Sequence, residues 1–281
     1  MITIIIMPYP LRSASGISMI RKYCKNWHSI LMVHAGLKDR TIVKFRDGVE
    51  IPLSKSDYGQ FREYIYQKYL QDKGFRYSRD MKNRRVISLP DGFKAILPDS
   101  DYSWHFDEVY ETRVYGRPDL KGHIVIDVGA AIGDTALYFC GLGAKRVYAF
   151  DPDKASAELA RENVSLNGLE GHIIVLEQAA TADSIDDIIK STIPDDQRFF
   201  LKVDCEGCEY ELLRELLSKN SLSRIDEVIL EYHVGPNFER VAGSEKELIN
   251  YLEKAGFDKP VVNDIYIIHA KRNVVSSIIA P

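Results

Sequence analysis

From His123 onward, short apolar runs alternate with stretches whose hydrophobic residues recur at three-and-four spacing. HIVIDV, RVYAF, HIIVLEQ, FFLKVD and EVILEYH read as five strands, and residues 133–142, 153–167, 207–219 and 244–255 as helices. Strands that alternate with helices predict a mostly parallel sheet covered on both faces, because each crossover must return along one face before the next strand begins. The closing DKPVVNDIYIIHAKR holds two extended runs around the turn pair Asn263-Asp264, a hairpin that would add an antiparallel strand.

The first 120 residues follow a different pattern. Residues 17–33 read as one helix, and TIVKF and VEIPL around Arg46-Asp47-Gly48 as a hairpin. A helix over residues 57–71 carries Phe61, Tyr64, Ile65 and Tyr69 on one face, an aromatic stripe that predicts core packing. A basic linker, RYSRDMKNRR, precedes a second hairpin, VISLPDGFKAILP, turned at Pro90-Asp91-Gly92. The expected fold class is therefore α/β. A Rossmann-like sheet, mostly parallel with an antiparallel C-terminal strand, spans residues 121–272, and a small α+β accessory or substrate region spans residues 1–120.

Composition narrows the setting. No apolar run approaches the roughly 20 residues of a membrane-spanning helix, and the opening MITIIIM is short and has no basic residue ahead of it, so a cytoplasmic protein is expected. Charge is uneven: residues 1–120 hold 20 Lys and Arg against 14 Asp and Glu, the remainder 17 against 27. A basic N-terminal region suits an anionic substrate such as a phosphorylated sugar or RNA, and equally an acidic neighbouring domain. Four cysteines are too few and too scattered for a disulfide framework. Cys205 and Cys208 form a C-x-x-C without a second pair to complete a zinc site, so they are expected to be small packed residues at a strand-to-helix turn, and no metal is expected.

The chemistry concentrates where strands end. In VIDVGAAIGDTALYF the first strand ends at Asp127, and a loop with Gly129 and Gly133 opens a helix whose free amides favour negative groups. The loop lacks the G-x-G-x-x-G of dinucleotide sites: Ala131 stands at the middle position and the spacing contracts to G-x-x-x-G. A pyrophosphate needs the extra room, whereas an amino-acid ammonium prefers a carboxylate such as Asp127. The second strand ends at Asp151, placed to accept two hydrogen bonds from a ribose diol, or else to cap the following helix. The third runs into Gln178, Ala179 and Ala180, where an adenine would lie. The fourth strand's LKVDCEGCEYELL packs Lys202, Asp204, Glu206 and Glu209 around the end of a buried strand, at the switch point where open α/β sheets bind ligands. Structural ion pairing is the alternative for Asp204 and more so for Glu209. The fifth ends at Glu231, Tyr232 and His233, and His233 is a candidate general base because a free imidazole titrates near neutrality.

Taken together, VIDVGAAIGDTALYF, GAKRVYAFDPD, ENVSLNGL, SIDDII, LKVDCEGCEYELL and ILEYH resemble the FkbM family of S-adenosylmethionine-dependent methyltransferases over roughly residues 100–270. The resemblance implies a class I methyltransferase sheet and S-adenosylmethionine as cofactor. It implies that Asp127, Gly129 and Gly133 hold the methionine part, with Ala130, Asp134 and Thr135 beside them. Asp151 and Pro152 would take the ribose, and Gln178 and Ala179 the adenine. Asp204 and Glu206 would line the methyl-transfer site, with His233 as a further catalytic candidate, and Glu108 and Tyr115 of FDEVYETRVY would close over the cofactor. Characterised members are largely O-methyltransferases, so the expected acceptor is a hydroxyl of a sugar, glycan or other small metabolite. RNA methylation is the alternative that the basic N-terminal region suggests, although the fourth strand lacks the N-P-P-[FY] of base-amino methylators. A non-catalytic binding protein on the same fold is a further alternative, and an NAD-dependent oxidoreductase is disfavoured by the contracted loop. Oligomeric state is not legible.

Overall fold

The computed structural model describes residues 14–99, 102–192, 197–233, 243–263 and 266–272. The chain forms two compact units, Met1–Glu111 and Thr112–Pro281. The sequence pattern placed the division at 120/121. The second unit begins earlier because the lead-in packs with its sheet: Tyr115 and Leu120 are buried, and the Tyr138 hydroxyl donates to the Gly116 carbonyl at 2.5 Å.

The first unit runs α1 (Ala14–Tyr23), α2 (Trp27–His34), β1 (Arg40–Lys44), β2 (Glu50–Ser54), α3 (Gly59–Asp72), β3 (Arg76–Arg79), β4 (Arg85–Ser88), β5 (Lys94–Ile96) and α4 (Ser103–Phe106), the last continuing as a π-helical turn, Asp107–Thr112. The single helix expected over residues 17–33 is two. Cys24 makes a bridge to Phe45, and the Asn26 side chain donates to the Ile42 carbonyl while accepting from the Lys44 amide, so the break between α1 and α2 is bound to β1. Part of the basic linker is β3, which pairs with β4 and turns the second hairpin into a three-stranded sheet. Ile20, Ile30, Val43, Phe45, Phe61 and Ile65 form this unit's core, with Tyr64 and Tyr69 packed at its edge.

The second unit contains β6 (Ile124–Val128), α5 (Asp134–Gly141), β7 (Arg146–Phe150), α6 (Lys154–Leu166), β8 (Ile173–Leu176), α7 (Ala182–Ser191), β9 (Phe199–Val203), α8 (Glu209–Ser218), β10 (Ile225–Glu231), α9 (Glu245–Lys254), β11 (Val261–Val262) and β12 (Ile267–Lys271). The sheet order is β11-β12-β10-β9-β6-β7-β8. β10, β9, β6, β7 and β8 are parallel, and β12 pairs antiparallel with β10 on one side and β11 on the other, the one reversed strand that the closing hairpin predicted. The sequence reading had assigned no element to α7, the crossover from β8 to β9. Its Thr181 and Ser184 form a reciprocal capping box, and it buries Ile185 and Ile189.

The chain proceeds outward from β6 to β7 and β8, then crosses to β9 on the other side of β6, so the switch point lies between β6 and β9. Register aligns the strand ends. Phe150, Val128, Val203 and Leu230 lie side by side in β7, β6, β9 and β10. The next residue on each strand is therefore Asp151, Gly129, Asp204 and Glu231, one row along the carboxyl edge.

Gly129 is fixed by this crossing. Its φ is +76°, and a Cβ there would stand 1.7 Å from the Asp204 carbonyl oxygen. The glycine thus serves the approach of one strand end to another, rather than a ligand's approach alone. Gly129→Ala is expected to lower unfolding free energy by about 3 kcal/mol or more, from backbone strain and overlap together. Urea unfolding would check this, and a loss below about 1 kcal/mol would show that the crossing can relax.

Candidate active site

Beneath the edge row lies a buried one. Asp127 and Lys202 are register partners in β6 and β9, the two charged residues in otherwise apolar strands, and both side chains have no solvent exposure. The Lys202 Nζ donates to the carbonyls of Val128 (3.2 Å) and Gly129 (2.7 Å) and stands 3.3 Å from Asp127 Oδ1. The Thr135 hydroxyl donates to Asp127 Oδ2 at 2.6 Å. Burial pushes the Asp127 carboxyl up, while the Lys202 charge and the Thr135 hydrogen bond pull it down. Burial presses the Lys202 ammonium down, and Asp127 and Asp204 more than restore it. Asp134, also buried at the start of α5, is pushed up to about 7, chiefly by burial.

The sequence reading gave Asp127 to a ligand ammonium. Its carboxylate meets Lys202 and Thr135 inside the protein. Gly133 begins α5 with φ +84°, and a Cβ there would touch Ala160 of α6 at 3.4 Å. Asn163 of α6, fully buried, donates to the Ile132 carbonyl. This clamp on the loop was missed from sequence, where Asn163 attracted notice only as part of ENVSLNG.

Asp151 sits at the mouth of the same loop. Its Oδ2 accepts from the Ala131 amide (2.8 Å) and its Oδ1 from the Asp153 amide (2.9 Å), and it is partly exposed. It is not the cap of α6: Asp153 is, accepting from the Ser156 amide at 2.8 Å. Ala131 takes a left-handed φ of +44° to present its amide. The amides of Gly129 and Ala130 both donate to the Phe150 carbonyl, stitching the turns after β6 and β7 together. Ala130 and Thr135 are buried, Pro152 is exposed, and Gln178 and Ala179 are exposed just beyond the end of β8, on the far side of β7.

On the other side of Gly129, Asp204 is 25% exposed. Its Oδ2 accepts from the Tyr115 hydroxyl at 2.9 Å and lies 3.8 Å from Lys202 Nζ. The Nε2 of His233 lies 3.9 Å from Asp204 Oδ1 and 3.5 Å from Glu206 Oε2. Glu206 is largely exposed and held at φ +53°. Glu209 is fully buried and anchors the loop: it accepts from the backbone amides of Gly207 (2.9 Å) and His233 (2.7 Å). Glu231, to which the sequence reading assigned no role, is pushed up to about 7, first by burial and then by Asp204.

Two expectations change here. His233 was a candidate base titrating near neutrality. Burial disfavours its cation, but the Glu209 hydrogen bond and the charges of Glu209, Glu206 and Asp204 outweigh that and raise it to about 9. That raised value favours the protonated ring at neutral pH. Cys205 and Cys208, expected as packed thiols, are joined in a disulfide within the loop between Asp204 and Glu209.

Asp127, Lys202, Asp204, Tyr115, Glu206, Glu209 and His233 therefore form one network, linked through the glycine loop to Asp151. Glu108 belongs to the π-helical turn of the first unit. Among the described residues no group of three or more His, Cys, Asp or Glu side chains is arranged to hold a metal ion, and no helix is long and apolar enough to cross a membrane.

Comparison with known proteins agrees with this geometry. Residues 109–193 match the family of ribosomal protein L11 methyltransferase (PrmA), and residues 177–259 match the methyltransferase FkbM domain. The ribosomal protein L11 methyltransferase of Carboxydothermus hydrogenoformans is 45% identical over 56 residues, 20% of this chain and 18% of that protein. That of Thermotoga neapolitana is 34% identical over 73 residues, 26% and 28% of the two chains. The chain thus spans less than a third of the length of these curated relatives. Among solved structures, a SAM-dependent methyltransferase from Aquifex aeolicus aligns with 59% of this chain and 91% of its own at 23% identity and a TM-score of 0.38. The ribosomal protein L11 methylase of Lactobacillus delbrueckii subsp. bulgaricus aligns with 56% and 72% at 22% identity and a TM-score of 0.36. Sheet order, glycine loop and acidic strand ends define the class of fold: a Rossmann-like α/β domain, similar in parts of its sequence to methyltransferase families. The FkbM domain match covers the part of the chain that carries β9, the Asp204 loop and β10.

The His233 shift has a measurable sign. Because its folded value, about 9, exceeds its ordinary 6.5, it adds stability that is fully present below about pH 6.5 and is lost as pH rises through 9. The difference in unfolding free energy between wild type and His233→Asn, measured in urea, is expected to be largest near pH 6 and to shrink toward pH 9.5. A difference independent of pH would mean that folding leaves the His233 titration unshifted.

Proposed function

We propose that this chain is a cytoplasmic enzyme that transfers a methyl group from S-adenosylmethionine to a hydroxyl of a sugar, glycan or other small metabolite. The observation that carries the proposal is the single row of Asp151, Gly129, Asp204 and Glu231 along the carboxyl edge, straddling the switch point. The residues fit the cofactor. Each Asp151 oxygen accepts one backbone amide, which leaves lone pairs free for the two hydroxyls of a ribose. Gln178, Ala179 and Pro152 border that position for the adenine, and Tyr115, held on Asp204, is the candidate cover.

When bound, S-adenosylmethionine supplies an electrophilic methyl group on a sulfonium. The chain's own part is to orient the acceptor, exclude water and take up a proton. His233 stands between Asp204 and Glu206, 3.9 Å and 3.5 Å from their carboxylate oxygens. An acceptor hydroxyl hydrogen-bonded to either carboxylate would pass its proton there. Asp127 and Lys202 do not touch the reactants; they hold the edge in register.

The FkbM match spans the acceptor side of the edge, and the PrmA match ends before β9. That division favours a hydroxyl acceptor. A protein acceptor is the second reading, supported by the PrmA match, and RNA a third, supported by the basic first 120 residues.

Titration calorimetry with S-adenosylmethionine tests the cofactor site. Asp151→Ala is expected to weaken binding roughly 10- to 100-fold, the loss of hydrogen bonds to a charged acceptor, and unchanged tight binding would overturn the site. Incubation with methyl-labelled cofactor and fractionated cell extract tests the acceptor. Label is expected in glycan or small metabolites, and label confined to protein or RNA would overturn the hydroxyl assignment.

A further inference from the structure

The methyltransferase reading leaves one feature of the edge unused. Cys205 and Cys208 are disulfide-bonded and only partly buried, in the loop that carries Glu206. The two residues they enclose are the most constrained of the site: Glu206 has φ +53° and Gly207 φ +109°. The loop is anchored at both ends, by the Asp204 amide on the Val128 carbonyl and by buried Glu209 on the Gly207 amide. Between those anchors the disulfide holds Glu206, a non-glycine residue in a left-handed conformation, with its carboxylate 3.5 Å from His233.

A bond that closes so short a loop stabilises a fold least in the chain-entropy account, so bracing alone does not explain it. Accessible C-x-x-C pairs are the usual form of exchangeable disulfides. Cys208 is also the cap residue of α8, where the free amides of the helix start favour a thiolate, although Glu209 and Glu211 in the first turn oppose this.

We propose that the Cys205–Cys208 pair is a reversible thiol–disulfide switch that, when oxidised, clamps Glu206 against His233 at the methyl-transfer end of the site. The exchange partner is a dithiol reductant. One of its thiolates attacks a cysteine sulfur, a mixed disulfide forms as the Cys205–Cys208 bond breaks, and the displaced cysteine leaves as a thiolate and takes a proton. The second thiol of the reductant, giving up its proton, then displaces the other cysteine. Two cysteine thiols and one oxidised reductant result, and the reverse exchange closes the loop again. In the reduced state nothing covalent holds Glu206 in its left-handed conformation, and the carboxylate leaves His233. The proposal rests on the methyltransferase reading only for its consequence in catalysis; the switch is read directly.

The full-length protein is equilibrated with oxidised or reduced dithiothreitol, denatured, alkylated and weighed. Two alkylations are expected after oxidation, at Cys24 and Cys140, and four after reduction. In parallel the His233 ring is titrated by NMR in both states. Its midpoint is expected to fall by roughly 0.5 of a pH unit on reduction, the loss of one exposed anionic neighbour, and to recover on reoxidation. The double variant Cys205→Ser, Cys208→Ser is expected to show the reduced midpoint with or without reductant. Four alkylations under oxidising conditions, or a His233 midpoint indifferent to reduction, would overturn the switch. S-adenosylhomocysteine affinity is measured alongside: its absence would strike the methyltransferase reading and leave the switch result standing.

Discussion

A lysine ammonium with no solvent exposure, facing an equally buried aspartate across the switch point, is the interaction on which the rest of this site depends. Burying either charge alone would cost several kcal/mol, so each is tolerable only with the other and with the hydrogen bonds that complete it. Lys202 finds two backbone carbonyls of the β6 turn, and Asp127 finds Thr135. These bonds tie β9 to β6 in one register and fix the path of the glycine loop. With the register set, Asp204 and Gly129 meet so closely that only a glycine fits.

The edge has a layered electrostatic design as a result. The inner row is charged and satisfied within the protein. The outer row, with its loop, carries more carboxylates than cations. Glu231 is pushed up to about 7, first by burial and then by the Asp204 charge, and His233 up to about 9 by Glu209, Glu206 and Asp204 against its burial. Such an edge attracts a positively charged ligand, and a nucleoside bearing a sulfonium and an ammonium has that character. A pyrophosphate does not, so the same charges that suit a methyl donor disfavour a dinucleotide.

Much of this was legible in the sequence because parallel sheets buried on both faces leave long apolar runs, and any charge inside them stands out. Asp127 in HIVIDV and Lys202 in FFLKVD were visible for that reason, and the strand order followed from the alternation with helices. That the two pair with each other was not legible, since register across β6 and β9 depends on contacts about 75 positions apart. For the same reason Asp127 was given to the ligand. The altered behaviour of His233 also comes from distant groups, above all Glu209, whose residue type says nothing of where its oxygens point. The helix expected over residues 17–33 failed because a tertiary bridge to β1 outweighed local periodicity, and the disulfide escaped because a C-x-x-C in isolation does not reveal its redox state.

The central claim is that the turns after β6, β7, β8 and β9 form one nucleoside site. Mapping amide chemical shifts during titration with S-adenosylhomocysteine tests it most directly. The account predicts saturable shifts grouped at residues 129–133, 151–153, 178–180 and 204–207, with the first unit's two hairpins unmoved. Saturable shifts elsewhere, with these turns silent, would contradict it.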